Sequence, residues 1–160
     1  MSSSEIVYLV RHAKAGERRV WDGDDLARPL SNTGWKQAEA LGKRLADKRA
    51  GKRVSQLYSS PYVRCVQTLE PLAERLGTTI HEDDRLLEGK PFEDVLELLA
   101  EIEDGAVLCS HGDIIPDTIQ ALARRGMELQ SPPDWRKATG WVLMRKGERI
   151  SMGSVWPPPL

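Results

Sequence analysis

Two arginines and two histidines stand just beyond segments of the sequence that have the character of strands. In chain order they are Arg11, His12, Arg64 and His111. The forked guanidinium group of arginine matches the oxygens of a phosphate group in a bidentate way. A neutral imidazole can act as a nucleophile. Residues of these types, brought together, could bind a phosphoryl group and accept it.

The positions of the predicted strands explain why these side chains should meet. Continuous apolar runs rich in β-branched residues are typical of strands covered on both faces. The predicted strands lie at 6–10, 56–59, 78–81, 106–110 and 141–144. Arg11 and His12 follow the first strand directly, and His111 follows the fourth. Ligands of open α/β sheets bind outside the carboxyl ends of the strands, so neighbouring strands here would form one cationic crevice.

Apolar residues at helical spacing fill the intervals between the strands. We predict that the four helices begin near Ser31 or Thr33, at Ser60–Pro61, near Phe92 and at Gly112. Pro71 lies inside the second helix and predicts a kink or break near Glu70. Alternation of strands and helices favours an α/β fold, with a mainly parallel central sheet and helices on both faces.

The composition excludes several other classes of protein. The 160 residues suit a single domain, which we expect to span 1–160. A net charge of −1 argues against a protein that binds a nucleic-acid polymer through a globally basic surface. The apolar run near the start ends at Arg11, too early for a membrane span or a signal peptide. We therefore expect a cytoplasmic protein with no membrane partner.

The sequence contains no pattern typical of metal ligands. Its only cysteines are Cys65 and Cys109, its three histidines are far apart in sequence, and CxxC and HExxH motifs are absent. We expect no metal, no cofactor and two buried free thiols. Cationic side chains around the phosphoryl oxygens would then provide the charge stabilisation that magnesium gives in other phosphotransfer enzymes.

A phosphate ester also needs a carboxyl group that protonates its leaving group. Glu88, in the loop 83–90, is the first candidate, and Asp113, two residues after His111, is the second. His12 must be neutral to attack, whereas His111 would serve better protonated. These demands favour a pH optimum at or below neutrality.

Five ordered blocks of the sequence resemble the histidine phosphatase superfamily. They are Leu9-Val10-Arg11-His12-Ala13, Leu30-Ser31 through Ala38, Ser59-Ser60-Pro61 through Thr68, Leu87-Glu88 and Cys109-Ser110-His111-Gly112. Together they cover most of residues 6–125. The resemblance implies a phosphoglycerate mutase-like fold, a three-layer α/β/α sandwich. The short chain is similar to phosphohistidine phosphatases of the SixA type, and the Gly23-Asp24-Asp25 region is similar to the phosphatase half of bacterial Nudix–phosphatase fusions that act on nucleotides.

The resemblance also implies a role for each candidate residue. His12 would be the phosphorylated nucleophile, Arg11, Arg64 and His111 would clamp the phosphoryl group, and Glu88 would donate the proton. Gly112, at the predicted start of a helix over 112–125, would let the backbone approach the bound anion closely.

The polar stretch 13–29 leaves two interpretations open. Its cations, Lys14, Arg18, Arg19 and Arg28, could line the entrance for substrate, or the aspartates among them could neutralise them in a solvated loop. Arg28 is the best candidate for substrate binding because it falls inside a region that resembles the fusion proteins.

These observations lead to one principal hypothesis and two alternatives. The principal hypothesis is a metal-independent phosphatase that hydrolyses phosphate monoesters or phosphohistidine through a phosphohistidine intermediate. Its partner would be a phosphorylated small molecule, such as a nucleotide, or a phosphohistidine protein. The alternatives are a phosphotransferase of the phosphoglycerate mutase type and a non-catalytic module that binds phosphate.

Overall fold

Seven strands form one sheet at the centre of the computed structural model, which describes residues 4–47 and 54–159. The strands are β1 (Glu5–Arg11), β2 (Leu57–Ser59), β3 (Ile80–Glu82), β4 (Val107–Ser110), β5 (Glu128–Leu129), β6 (Gly140–Lys146) and β7 (Arg149–Trp156). Their order across the sheet is β3-β2-β4-β1-β6-β7-β5. Only β6 breaks the parallel arrangement, since it runs antiparallel to both of its neighbours, β1 and β7.

Helices cover both faces of this sheet. Within the described residues they are α1 (Asn32–Ala46), α2 (Val63–Leu76), α3 (Phe92–Glu101) and α4 (Ile115–Arg124). Apolar residues of α1 and α2 pack into one core with Val10 and Cys109, and those of α3 and α4 pack into a second core with Leu9 and Leu108. Adjacent residues of a strand point to opposite faces, so each strand serves both cores. The predicted three-layer α/β/α sandwich with a mainly parallel sheet is confirmed.

The three strands expected to carry the site are neighbours. Strand β1 pairs in parallel with β4, where Arg11 lies opposite Ser110. Strand β4 pairs in parallel with β2, where Ser59 lies opposite Cys109. All three strands run in the same direction, so their carboxyl ends meet at one edge of the sheet, as the sequence predicted.

The predicted helix start agrees with the structure at α1 and differs from it at α2. Helix α1 begins as expected, because the hydroxyl of Ser31 accepts a hydrogen bond from the N–H of Gly34 at 3.1 Å. Helix α2 begins at Val63, later than the predicted start at Ser60. The physical reason is that the hydroxyl of Ser60 lies 2.8 Å from Nε2 of His111, where it contributes to the site instead of capping the helix.

Helix α2 continues through Pro71 to Leu76, so the predicted break is absent. A proline removes one backbone hydrogen bond from a helix, and close packing can hold the helix together at that point. A Cβ atom at Gly42 of α1 would lie only 3.0 Å from the backbone nitrogen of Leu72. The two helices are therefore packed backbone to backbone next to the proline.

The sequence pattern did not predict β5 and β7. The chain turns at Gly147, whose φ is 62°, and β7 follows this turn and pairs with the whole of β6. Gly153 in the middle of β7 packs directly against Met127 and Leu143, and it interrupts the apolar pattern by which strands are recognised. In the described part of the chain, we find no helix with the length and apolar character needed to cross a bilayer.

Candidate active site

A cavity of about 460 Å³ lies at the carboxyl ends of β1 and β4. The predicted site residues that line it are Arg11, His12, Arg28, Arg64, Glu88, Gly112 and Asp113. His111 is fully buried beside them, and the centre of its ring is 5.4 Å from that of His12, with the ring planes at 65°. Residues spread over about a hundred positions of the sequence are thus brought to one place.

The ring of His12 is oriented by its own backbone neighbour. Its Nδ1 lies 2.8 Å from the carbonyl oxygen of Ala13, and a carbonyl can only accept, so Nδ1 carries the hydrogen and Nε2 keeps its lone pair. The pKa of His12 is lowered to about 3, mainly by burial; the hydrogen bond to Ala13 acts to raise it, and the positive charges of Arg64 and Arg11 act to lower it. His12 is therefore neutral at pH 7, as a nucleophile must be.

His111 is held by two residues at the start of α2. Its Nε2 lies 2.8 Å from the hydroxyl of Ser60 and 3.5 Å from the sulfur of Cys65. The same hydroxyl accepts a hydrogen bond from the N–H of Tyr62, so it is free to donate its own hydrogen to Nε2. Nδ1 of His111 then carries a hydrogen, and in the described structure it has no hydrogen-bond partner. A phosphoryl oxygen is the acceptor that would satisfy it.

The surroundings of His111 disfavour the protonated state that the sequence analysis expected to serve it better. Burial lowers its pKa to about 3, and its neighbours His12 and Arg64 contribute in the same direction. In the neutral state the ring can still stabilise a phosphoryl group, because it acts as a hydrogen-bond donor and not as a cation.

Arg64 lies at the base of the cavity with 1% of its side chain exposed. Its Nη1 donates to the backbone carbonyl of Asp25 at 3.0 Å, and its Nη2 lies 3.1 Å from the carboxylate of Asp25 and 3.2 Å from that of Glu88. These partners offset the cost of burying the charge. Its Nε has no partner among the described residues. Three buried nitrogens of the site are thus free to bind an oxygen: Nε of Arg64, Nε of Arg11 and Nδ1 of His111.

The sequence analysis considered Asp25 only as one of the aspartates that could neutralise nearby cations, and it did not foresee the contact with Arg64. The carboxylate of Asp25 bridges two cations, since one oxygen contacts Arg64 and the other lies 2.8 Å from Nε of Arg28. Arg28 is fixed a second time by the carbonyl of Gly16. Both interpretations of the stretch 13–29 are therefore correct in part, because Lys14, Arg18 and Arg28 line the cavity while Asp25 neutralises some of their charge. Arg19 is exposed, is not part of the lining and pairs with Glu17.

Gly112 serves the site differently from the prediction. It lies in the turn between β4 and α4, and α4 begins at Ile115, so Gly112 is not at the start of a helix. A Cβ atom at Gly112 would lie 2.4 Å from Cζ of Arg11. The absence of a side chain leaves room for the guanidinium group of Arg11, which is fixed at its other side by the carbonyl of Trp135.

The two candidate proton donors have different surroundings. Oδ2 of Asp113 accepts a hydrogen bond from the N–H of Gly89 at 2.8 Å and thereby holds the loop that carries Glu88. Oε1 of Glu88 faces the phosphoryl-binding groups, 3.2 Å from Arg64 and 3.9 Å from Nδ1 of His111. These contacts favour Glu88 as the donor and Asp113 as the residue that positions its loop.

Both cysteines are free and buried, as predicted. Burial raises the pKa of the Cys109 thiol, which disfavours its reactive thiolate form. Within residues 4–47 and 54–159, the side chains of His, Cys, Asp and Glu nowhere form a group of three or more that could hold a metal ion.

Comparisons with known proteins agree on one family. The model of the histidine phosphatase superfamily (branch 1) matches residues 7–101. The chain is 35% identical over 162 residues to an 8-oxo-(d)GTP phosphatase from Mycolicibacterium smegmatis, in an alignment that covers 97% of this chain and 49% of that protein. It spans about half the length of the curated relatives it matches.

Solved structures show the same fold. A crystal structure assigned to the phosphohistidine phosphatase SixA from Agrobacterium tumefaciens is 27% identical, with a TM-score of 0.69 and coverage of 90% of this chain and 96% of that one. A structure of the protein histidine phosphatase SixA reaches a TM-score of 0.72 at 19% identity, with coverage of 95% and 94%. The resemblance seen in the sequence is confirmed, and the chain belongs to branch 1 of the histidine phosphatase superfamily.

Proposed function

We propose that this protein is a metal-independent phosphatase that transfers the phosphoryl group of its substrate to His12 and then to water. The observation that carries the proposal is the state of the His12 ring, whose Nδ1 is bonded to Ala13 and whose Nε2 keeps a lone pair inside a cavity lined by Arg11 and Arg64. Family membership supports the same activity.

In the first step, the lone pair on Nε2 of His12 attacks the phosphorus and the bond from phosphorus to the ester oxygen breaks. The leaving oxygen takes the electron pair of that bond and a proton from the carboxyl group of Glu88. Arg11, Arg64 and Nδ1 of His111 stabilise the charge that spreads over the other three phosphoryl oxygens.

In the second step, a water molecule attacks the phosphorus of the phosphohistidine. The carboxylate of Glu88 accepts one proton of that water, and the bond between phosphorus and Nε2 breaks with its electron pair returning to the ring of His12. Inorganic phosphate leaves, and both residues are restored to their starting states.

The substrate is a phosphate monoester or a phosphohistidine, carried by a small molecule such as a nucleotide or by a protein. The relatives span both possibilities, since one is named an 8-oxo-(d)GTP phosphatase and another a phosphohistidine phosphatase. Each name describes the activity of that relative and not of this chain. What supports a phosphatase here is the set of unpaired donors around His12.

Rapid-mixing kinetics with p-nitrophenyl phosphate test this proposal. We expect a burst of one p-nitrophenolate per active site, followed by slower turnover in which released phosphate equals released p-nitrophenolate. Both phases should be lost in His12→Ala. The matched control is His81→Ala, which removes an exposed histidine on β3 whose ring contacts Tyr58 and whose Nε2 lies 3.2 Å from the side-chain oxygen of Gln56. Unchanged activity in a folded His12→Ala protein would overturn the proposal.

A further inference from the structure

A second cavity of about 570 Å³ adjoins the catalytic one and shares part of its wall. The residues common to the two cavities are Arg11, Lys14 and Lys137, and the second cavity also touches Gln37, Arg136 and Pro158. We call this second cavity the annex. The described residues that line it include four cations and no carboxylate. Any group bound there is therefore next to the phosphoryl group on His12 and in a positive field.

The positive charge of this region exceeds what a single phosphoryl group needs. Six Arg and Lys side chains and three Asp and Glu side chains line the catalytic cavity, although the whole chain has a net charge of −1. Asp25 and Glu88 pair with Arg64, and Asp134 pairs with Arg136. Lys14 and Lys137, among the described residues, have no carboxylate within ion-pair distance. These two cations remain available for a second anionic group.

The backbone of Lys14 is fixed in place by α1. Its N–H donates to the side-chain carbonyl of Gln37 at 3.0 Å, and its own carbonyl accepts from the N–H of Ser31 at 3.0 Å. The backbone of Lys14 packs tightly against α1, because a Cβ atom at Gly34 would lie 1.9 Å from the carbonyl oxygen of Lys14. The lysine is thus carried by a rigid piece of backbone and not by a free loop.

Lys137 is fixed by an unusual backbone conformation at the next residue. Ala138 has φ of 66°, the only positive φ of a non-glycine residue within the described part of the chain. Its N–H reaches the carbonyls of both Arg11 and His12, at 3.2 and 3.1 Å. Such a conformation is unfavourable for alanine and persists where the surroundings enforce it. It holds Lys137 at the end of β1, beside the nucleophile.

We propose that Lys14 and Lys137 bind a second phosphoryl group directly attached to the one that His12 receives, so that the natural substrate is a diphosphate ester of the nucleoside diphosphate type. This inference rests on the proposed function of His12. The pKa of Lys137 is lowered by burial and by the neighbouring charges of Arg11, Arg28 and Lys14, and a bound anion would relieve that repulsion. A phosphohistidine protein has no second phosphoryl group to place there.

The chemistry of such a substrate balances with the groups present. Nε2 of His12 attacks the terminal phosphorus, and the bond from that phosphorus to the bridging oxygen breaks. The bridging oxygen keeps the electron pair, takes the proton of the Glu88 carboxyl group and leaves as part of a monophosphate ester. Water then hydrolyses the phosphohistidine as described above. The products are a monophosphate ester and inorganic phosphate.

A comparison of adenosine 5′-diphosphate with adenosine 5′-monophosphate tests the annex. We expect Lys14→Gln and Lys137→Gln each to lower kcat/KM for the diphosphate about tenfold more than kcat/KM for the monophosphate, which is the effect of one lost charged hydrogen bond. The two substrates differ in leaving group as well, but that difference is the same in the wild type and in the variants. Arg19→Gln removes one charge outside the cavity and should change both values equally.

Binding measured by calorimetry separates this inference from the proposed catalytic function. Methylenediphosphonate, which presents two phosphoryl groups and cannot be cleaved at the bridge, should bind the wild type more tightly than methylphosphonate, and Lys137→Gln should abolish most of that preference. Equal binding of the two probes in a protein that shows the His12-dependent burst would overturn the proposed role of the annex but not the proposed phosphatase activity. A preference for the diphosphonate in a protein that hydrolyses no phosphate ester would support binding of a second phosphoryl group in the annex and overturn the proposed phosphatase activity.

Discussion

The carboxylate of Asp25 lies 3.1 Å from Nη2 of Arg64, and the backbone carbonyl of the same residue lies 3.0 Å from Nη1. One loop residue therefore contacts both terminal nitrogens of the buried arginine and leaves only its Nε unpaired. Because Arg64 also contacts Glu88, Asp25 determines how the guanidinium group faces the phosphoryl group.

Asp25→Asn should therefore lower kcat about tenfold, since a small displacement of a group that orients the substrate is costly for the rate. KM should not rise, because removal of a negative charge from the cavity does not weaken the binding of a dianion. Steady-state kinetics separate the two constants. The matched control is Asp22→Asn, an exposed position in the same stretch. A higher KM with unchanged kcat would show that Asp25 binds substrate and does not position Arg64.

Glu88→Gln should affect substrates according to their leaving groups. A poor leaving group such as the alkoxide of glycerol 2-phosphate needs a proton, whereas p-nitrophenolate departs nearly unaided. We expect kcat/KM, which reports the step that expels the leaving group, to fall about a hundredfold or more for glycerol 2-phosphate and far less for p-nitrophenyl phosphate. The same comparison in Asp113→Asn should show no such dependence on the leaving group. Equal losses for both substrates in Glu88→Gln would exclude Glu88 as the proton donor.

Gly112→Ala should impair the enzyme through Arg11. The added methyl group would meet the guanidinium group, whose flexible side chain can move aside, so we expect a loss in kcat/KM of about tenfold or more with little change in the free energy of unfolding. A double-mutant cycle with Arg11→Ala measures the coupling. If Gly112→Ala acts by displacing Arg11, it should have almost no further effect in the Arg11→Ala background. Fully additive losses would contradict this explanation.

The lowered pKa values of the two histidines predict an unusual response to acid. With a pKa of about 3, His12 remains neutral at pH 5, whereas a histidine with the ordinary pKa of about 6.5 would be only about 3% neutral there. Its folded-state pKa lies below the unfolded value, so protonation and loss of the neutral form begin only as the pH falls towards 3. The ring carbon resonances of His12 and His111 in NMR spectra should be constant from pH 8 to pH 5. A titration midpoint near 6.5 in either ring would contradict the burial of the site.

The sequence predicted the parts of the site that depend on strand order. Arg11, His12 and His111 follow apolar strands whose type and direction are encoded locally, and parallel pairing then brings them together. Arg64 and Glu88 were singled out from their positions, in a predicted helix and in a loop after a predicted strand, and the resemblance to a known family suggested their roles. Asp25 was expected only to neutralise nearby cations; its contact with Arg64 was missed because the two residues are 39 positions apart and Asp25 lies in a single short turn of 3-10 helix, for which periodicity gives no information.

Other errors arose where a tertiary contact overrides a local preference. Ser60 has the sequence of a helix cap, but its hydroxyl bonds His111. Gly112 was expected at the start of a helix, but α4 begins at Ile115 and the glycine lies in the preceding turn, against Arg11. Strand β7 was missed because Gly153, which packs against Met127, interrupts the apolar pattern of the strand. The strand is recognisable only from its pairing with β6.

The most direct test of the role of His12 is the location of the phosphoryl group during turnover. The protein is mixed with excess p-nitrophenyl phosphate, denatured in alkali within the first turnover, digested and analysed by tandem mass spectrometry. We predict one phosphoryl group on the ring of His12, stable to alkali and rapidly lost in acid. Turnover without phosphate on His12, or a phosphoryl group on any other residue, would contradict the mechanism.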